Sequence, residues 1–164
     1  MAGRHGSREI QLLALGLIGL CLVQYLLGMA LNLFVVISRH HPGSSGDDFF
    51  ERSFQSVWWG LTHGGYVAFH AGLGIVLVLS SIRLAVTTFT VSQPRVRAVG
   101  VVEALAILGA AFNGAAFLDF NLNLNSMYMA TFLAIALSCY SWMLFRSAST
   151  PHTVLPDGGD GHPS

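Results

Sequence analysis

Four stretches of this chain, Ile10 to Ser38, Val57 to Ile82, Val99 to Leu118 and Met127 to Phe145, are apolar over about the 20 residues that a helix needs to cross a bilayer core. They are apolar on every face. An outer-membrane barrel would instead show shorter segments of alternating polarity. Together the four runs take up more than half of the 164 residues, which leaves no room for a separate soluble domain. The expected fold class is all-α: an integral membrane four-helix bundle over residues 10–146. Residues 1–9 form a short N-terminal segment, and the tail "SASTPHTVLPDGGDGHPS" has too few apolar residues to fold, so 147–164 are expected to be disordered. Charge agrees with this, because only 10% of residues are charged, against about 25% in soluble domains.

Arginine placement sets the expected orientation, since short arginine-bearing loops stay in the cytoplasm. Arg4 and Arg8 precede the first run, Arg83, Arg95 and Arg97 separate the second from the third, and Arg146 ends the fourth. On the other side only Arg39 and Arg52 occur, beside Asp47, Asp48 and Glu51. Both termini are therefore expected in the cytoplasm of a bacterial cell with the protein in its inner membrane. Trp58 and Trp59 are expected at the outer headgroup level. The first run outlasts the roughly 7 to 15 residue core of a signal peptide, so it is expected to stay as a span. Every basic residue is arginine, as in GC-rich genomes. The net charge is zero, which gives no basic footprint for nucleic acid. Cys21 and Cys139 fall inside spans, with no CxxC spacing.

The polar residues inside the spans carry the functional question. Counted at the helical rise from each outer helix end, Asn32, His63 and Asn113 lie roughly 7 to 11 Å down. Gln24, His70 and Glu103 lie roughly 20 to 23 Å down by the same count. Thr131 and Ser141 of the fourth run fall near these two levels. The expectation is two polar layers, each fed by the first three helices. Small residues at Gly60, Gly64, Ala68 and Gly72, and again from Gly109 to Gly114, would let helices approach closely, either within one chain or in a homodimer.

Several chemistries fit these residues. His63 and His70 can serve as interhelical hydrogen-bonding groups, His63 with Asn32 and Asn113, His70 with Gln24 and Glu103. They can also bind a cofactor, and b-type haem is the candidate, with Met29 as a second axial ligand to His63. The first, third and fourth spans hold no histidine, so a bis-histidine haem needs His40, His41 or a second copy of the chain. An outer metal site would draw on His40, His41, His63 and Asp119, with Asp47 and Asp48 nearby. Glu103 is the only acid deep in a span. Beside His70 it would make a proton relay or an ion pair and the centre of a small transporter, or it could snorkel toward the inner interface. The alternation in "DFNLNLN" lacks the glycine and glutamate that a calcium loop needs at its sixth and twelfth places. It reads as a tight interfacial turn with its polar residues toward water. No hydrolase, kinase or nucleotide motif occurs.

The segments "NLFVVI", "HHPG", "HGGYVAFHAGLG", "FNGAAFLDF" and "SMYMATFLAIALSCY" resemble a group of uncharacterised small four-helix integral membrane proteins of actinobacteria, over residues 24 to 145. That resemblance implies location and topology and supplies no functional residue. The expected function is a non-enzymatic subunit or accessory factor of a membrane complex, with the lipid bilayer and a homodimer or larger assembly as partners. The alternatives are a haem- or metal-binding redox protein using His63 and His70, and a proton-coupled transporter centred on His70 and Glu103.

Overall fold

The computed structural model describes residues 2–36, 47–63 and 65–148. Among them the chain is all-helical: α1 (Ala2–Phe34), α2 (Phe49–His63), α3 (Gly65–Thr88), α4 (Pro94–Phe120) and α5 (Asn123–Ala148). Four segments are long and apolar enough to cross a membrane: Gly6–Phe34, Gly65–Thr88, Pro94–Phe120 and Asn123–Arg146. The expected tail lies outside the described residues, apart from the last turn of α5.

The run expected as one span from 57 to 82 is two helices. Gly65 takes a φ of +36°, in the left-handed region that glycine adopts without steric penalty, and the helix breaks there. Residues 57–63 belong to α2. Its start is a capping arrangement: Asp48 Oδ1 accepts the Glu51 N–H at 2.8 Å, and Glu51 Oε2 accepts the Asp47 N–H at 3.3 Å. The long apolar helix α3 therefore starts eight residues later than Val57 and runs on to Thr88.

The other boundaries have local causes too. At the end of α3 the Thr87 and Thr88 hydroxyls donate back to the Arg83 and Ala85 carbonyls. Arg97 Nε donates to the Val91 carbonyl and holds the short turn that follows. Pro94 opens α4, where its missing N–H costs nothing. Asn121 ends α4 at φ 49°, ψ 46°, its N–H donated to the Phe117 carbonyl.

Helix α1 packs on α3 and α5, α3 on α4, and α4 on α5, while α2 lies against α3 and α4. The core is built from one stripe of each long helix. α1 contributes Ile10, Ala14, Leu17 and Cys21, α3 contributes Leu77 and Leu84, α4 contributes Ala106 and Ile107, and α5 contributes Leu133, Ala136, Tyr140 and Met143. Glycine sets the closest approaches. A Cβ on Gly100 would lie 2.6 Å from Thr88 Oγ1, and one on Gly109 would lie 3.0 Å from the Phe132 ring. The small residues from Gly109 to Gly114 thus face α5 of the same chain, with Gly114 against Met129. Gly72 meets nothing within 4 Å, and Gly64 lies outside the described residues.

Candidate functional site

The structure brings the sequence-selected polar residues together in pairs, not in layers. Gln24 of α1 meets His70 of α3. Its amide Nε2 donates to the His70 backbone carbonyl at 3.1 Å and lies 3.2 Å from the ring Nε2. With Nε2 accepting, the ring proton sits on Nδ1, which is buried with no hydrogen-bond partner among the described residues, as is Gln24 Oε1. Two glycines make room for the pair: a Cβ on Gly28 would meet His70 Cε1 at 3.2 Å, and one on Gly74 would meet Gln24 Nε2 at 3.3 Å.

Glu103 does not join this pair. It is wholly buried, at 0% exposure, and does not snorkel. Its Oε2 accepts the Ser81 hydroxyl at 2.8 Å. Ser81 is eleven positions along α3 from His70, about 16 Å of helical rise. The depth count placed His70 beside Glu103 because it started the second span at Val57, when α3 starts at Gly65. The true neighbours of Glu103 are Ser81 of α3 and Tyr140 of α5, with the Cys21 thiol of α1 close by. All four long helices thus deliver a buried group to one place. Tyr140 Oη lies beside the carboxyl group, yet neither it nor Glu103 Oε1 closes a hydrogen bond of ordinary geometry.

The third pair joins α2 to α4. Arg52 Nη2 donates to Asp119 Oδ1 at 3.1 Å, and the guanidinium lies 5.0 Å from the Phe120 ring centroid. Asp119 is 1% exposed, so it faces the protein and not water, contrary to the reading of "DFNLNLN" as a turn with polar residues outward. That turn is only Asn121 and Leu122, because α5 already begins at Asn123.

The expected upper layer does not form among the described residues. Asn32 is exposed, Asn113 Nδ2 donates to the Gly109 carbonyl of its own helix at 2.8 Å, and Thr131 does the same to Met127 at 2.9 Å. The His63 side chain, His40 and His41 lie outside the described residues. Met29 is 43% exposed, and the His63 side chain expected to partner it is among those outside the described residues. Asp119, a candidate metal ligand, is occupied by Arg52. Among the described residues no three His, Cys, Asp or Glu side chains cluster to hold a metal ion.

Ser81, Tyr140 and Arg52 are the residues that sequence reasoning left out. Ser81 and Tyr140 each sit at the core spacing of their helix, between Leu77 and Leu84 and between Ala136 and Met143. Position in that stripe is the signal that marks them. The chain matches no protein-family model, no curated protein and no solved structure.

Proposed function

We propose that this chain is a multi-pass protein of a bacterial inner membrane. Its four apolar helices form one bundle with both termini in the cytoplasm, and it serves as a non-enzymatic component of a larger membrane complex. The observation that carries this reading is the contact of Gln24 with His70. The histidine suited to ligand chemistry has its Nε2 engaged by an amide and its ring packed on Gly28. A haem iron would have to displace Gln24 to reach that nitrogen. The intramembrane polar groups hold helices together: Gln24 with His70 joins α1 to α3, Ser81 with Glu103 joins α3 to α4, and Arg52 with Asp119 joins α2 to α4. In lipid such bonds contribute about 0.6 kcal/mol each, enough to fix helix positions once packing has brought them together.

The test is purification in mild detergent from the native host, with the absorption spectrum and the co-purifying proteins read together. The expected outcome is a reproducible membrane-protein partner and a spectrum without a Soret band. A Soret band that shifts on reduction and disappears in His70→Ala would overturn the reading in favour of a cytochrome.

One observation favours a second reading. Glu103 Oε1 and Tyr140 Oη lie side by side and close no hydrogen bond of ordinary geometry among the described residues, and an intramembrane acid is a candidate proton carrier. This reading keeps Glu103 as the centre of a small proton-coupled transporter, with Tyr140 and Ser81 replacing His70 as its neighbours. In proteoliposomes it requires a pH-driven flux that is lost in Glu103→Gln and kept in Gln24→Ala.

A further inference from the structure

The short helix α2 divides its surface three ways. Ser53, Ser56 and Gly60 are buried against α3 and α4. Phe50, Phe54 and Trp58, four residues apart, are 73%, 72% and 62% exposed. At about 100° per residue they cover an arc of about 80°. Glu51, Gln55 and Thr62 occupy the neighbouring arc of about 40°. A helix facing water on its free side would not carry this aromatic stripe, and one immersed in hydrocarbon would not carry the polar one. A helix at the boundary needs both.

The packing gives α2 the matching orientation. Phe49 and Gly60 are eleven positions apart, about 16 Å along the helix. Yet both reach the last turns of α4. Phe49 stacks on Phe120 at 5.6 Å, a Cβ on Gly60 would lie 3.6 Å from Leu118 Cδ1, and between them Arg52 bonds Asp119. A helix running alongside α4 would carry its contacts along by as many residues as it advances. α2 does not: Phe49 lies against both Phe120 and Phe112, about two turns apart on α4, and Gly60 lies against Leu118 between them, so α2 crosses α4 and does not run alongside it. The stripe meets an exposed aromatic residue of a long helix, with the Phe50 ring 6.5 Å from that of Phe112 on α4.

We propose that α2 lies flat in the membrane interface on the side opposite the termini, with Phe50, Phe54 and Trp58 seated among the lipid headgroups and upper acyl chains. The inference rests on the spanning arrangement proposed above. Its occupant is lipid, because the aromatic arc adjoins lipid-facing residues on one side and a polar arc on the other, and because indole and phenyl rings favour that depth.

The test uses the full chain in phosphatidylcholine and phosphatidylglycerol vesicles, with Trp59→Phe and Trp142→Phe leaving Trp58 as the sole indole. Bromines placed near the headgroup end of the lipid chains are expected to quench Trp58 about twofold more than bromines near the chain ends, with aqueous iodide quenching it weakly. Quenching by iodide as strong as for free tryptophan would overturn the proposal and mark the stripe as a surface for a protein partner. Strongest quenching by the deepest bromines would overturn it too, by placing α2 within the hydrocarbon. If the first variant does not fold, Trp59→Tyr and Trp142→Tyr again leave Trp58 as the sole indole. Leu79→Trp in a chain without other tryptophans reports separately on the spans: deep quenching there is expected, and its absence would sink the spanning arrangement itself.

Discussion

Gly28 and Gly74 each clear the space that a polar side chain of the facing helix fills, His70 in one case and Gln24 in the other. Gly16 and Gly72 meet nothing within 4 Å. Alanine in place of a helical glycine adds about 1 kcal/mol from propensity alone, so the outcome depends on what the new methyl meets. Gly16→Ala and Gly72→Ala should raise the detergent unfolding temperature or leave it unchanged. Gly28→Ala and Gly74→Ala should lower it relative to those two, and Gly100→Ala, whose methyl would press on Thr88, should lower it most, with overpacking costs of about 1–3 kcal/mol. Equal shifts at all five positions would show that helix approach is looser than these contacts require. The Glu103 neighbourhood separates in a similar way. Ser81→Ala strips Glu103 Oε2 of the hydroxyl that bonds it among the described residues and should cost about 1–3 kcal/mol. Tyr140→Phe removes a hydroxyl that makes no hydrogen bond of ordinary geometry and should leave thermal stability within about 0.5 kcal/mol of the parent. If Tyr140→Phe proves as damaging as Ser81→Ala, its hydroxyl closes a bond to the carboxyl group in solution.

At the scale of elements, α2 is where reading the sequence for apolar runs went astray. Val57 to Ile82 is apolar throughout, so hydropathy joins the end of one helix to the beginning of the next. The signals for the separation were present in other forms. Asp48 and Glu51 have capping-box spacing, and Gly64-Gly65 offers the left-handed residue that a break needs. Gly65→Val should destabilise the chain by about 1–2 kcal/mol, because a β-branched residue resists positive φ, whereas Gly72→Val should not do so through backbone strain. Both can be compared by helical circular dichroism on heating. Arg52 ties α2 down. Its removal leaves Asp119 buried without its cation, and Arg52→Ala should cost about 3 kcal/mol, the low end for a broken buried pair, since the Arg52 side chain is one-third exposed at 33%. The double variant Arg52→Met with Asp119→Leu should recover most of that loss. A double variant no more stable than Arg52→Ala would mean that α2 is held by its aromatic contacts and not by the ion pair.

For the whole molecule, an even number of spanning helices returns the chain to the side where it started. The arginines of residues 4, 8, 83, 95, 97 and 146 lie at the ends that this topology places together. The contacts agree on that grouping: Arg83 Nη2 bonds Glu9 Oε1 at 3.0 Å, and a Cβ on Gly6 would lie 3.2 Å from Thr90 Oγ1. A small cavity of about 50 Å³ at the same end is lined by residues from α1, the α3–α4 turn and α5, among them Ser7, Gln93 and Arg146. A reporter fused after Ser164 should therefore behave as cytoplasmic, fluorescent as a green fluorescent protein and inactive as an alkaline phosphatase. One fused after Ser92 should report the same side. Opposite results for the two sites would break the four-span topology.

The existence and helical type of four long apolar segments follow from the sequence alone, whereas the start of the second does not. A segment that crosses lipid must bond its backbone within itself and carry mostly apolar side chains, and composition records that requirement directly. Tertiary structure decided which polar residues meet. Depth counted along a helix depends on where the helix begins, and an error of eight residues at Val57 moved His70 by about 12 Å and paired it with the wrong acid. It also depends on which face each residue presents. Ser81 and Tyr140 became neighbours of Glu103 because the stripes of α3, α4 and α5 turn toward one axis. Arg52 found Asp119 because α2 crosses the end of α4, a contact between residues 67 positions apart that no local pattern contains.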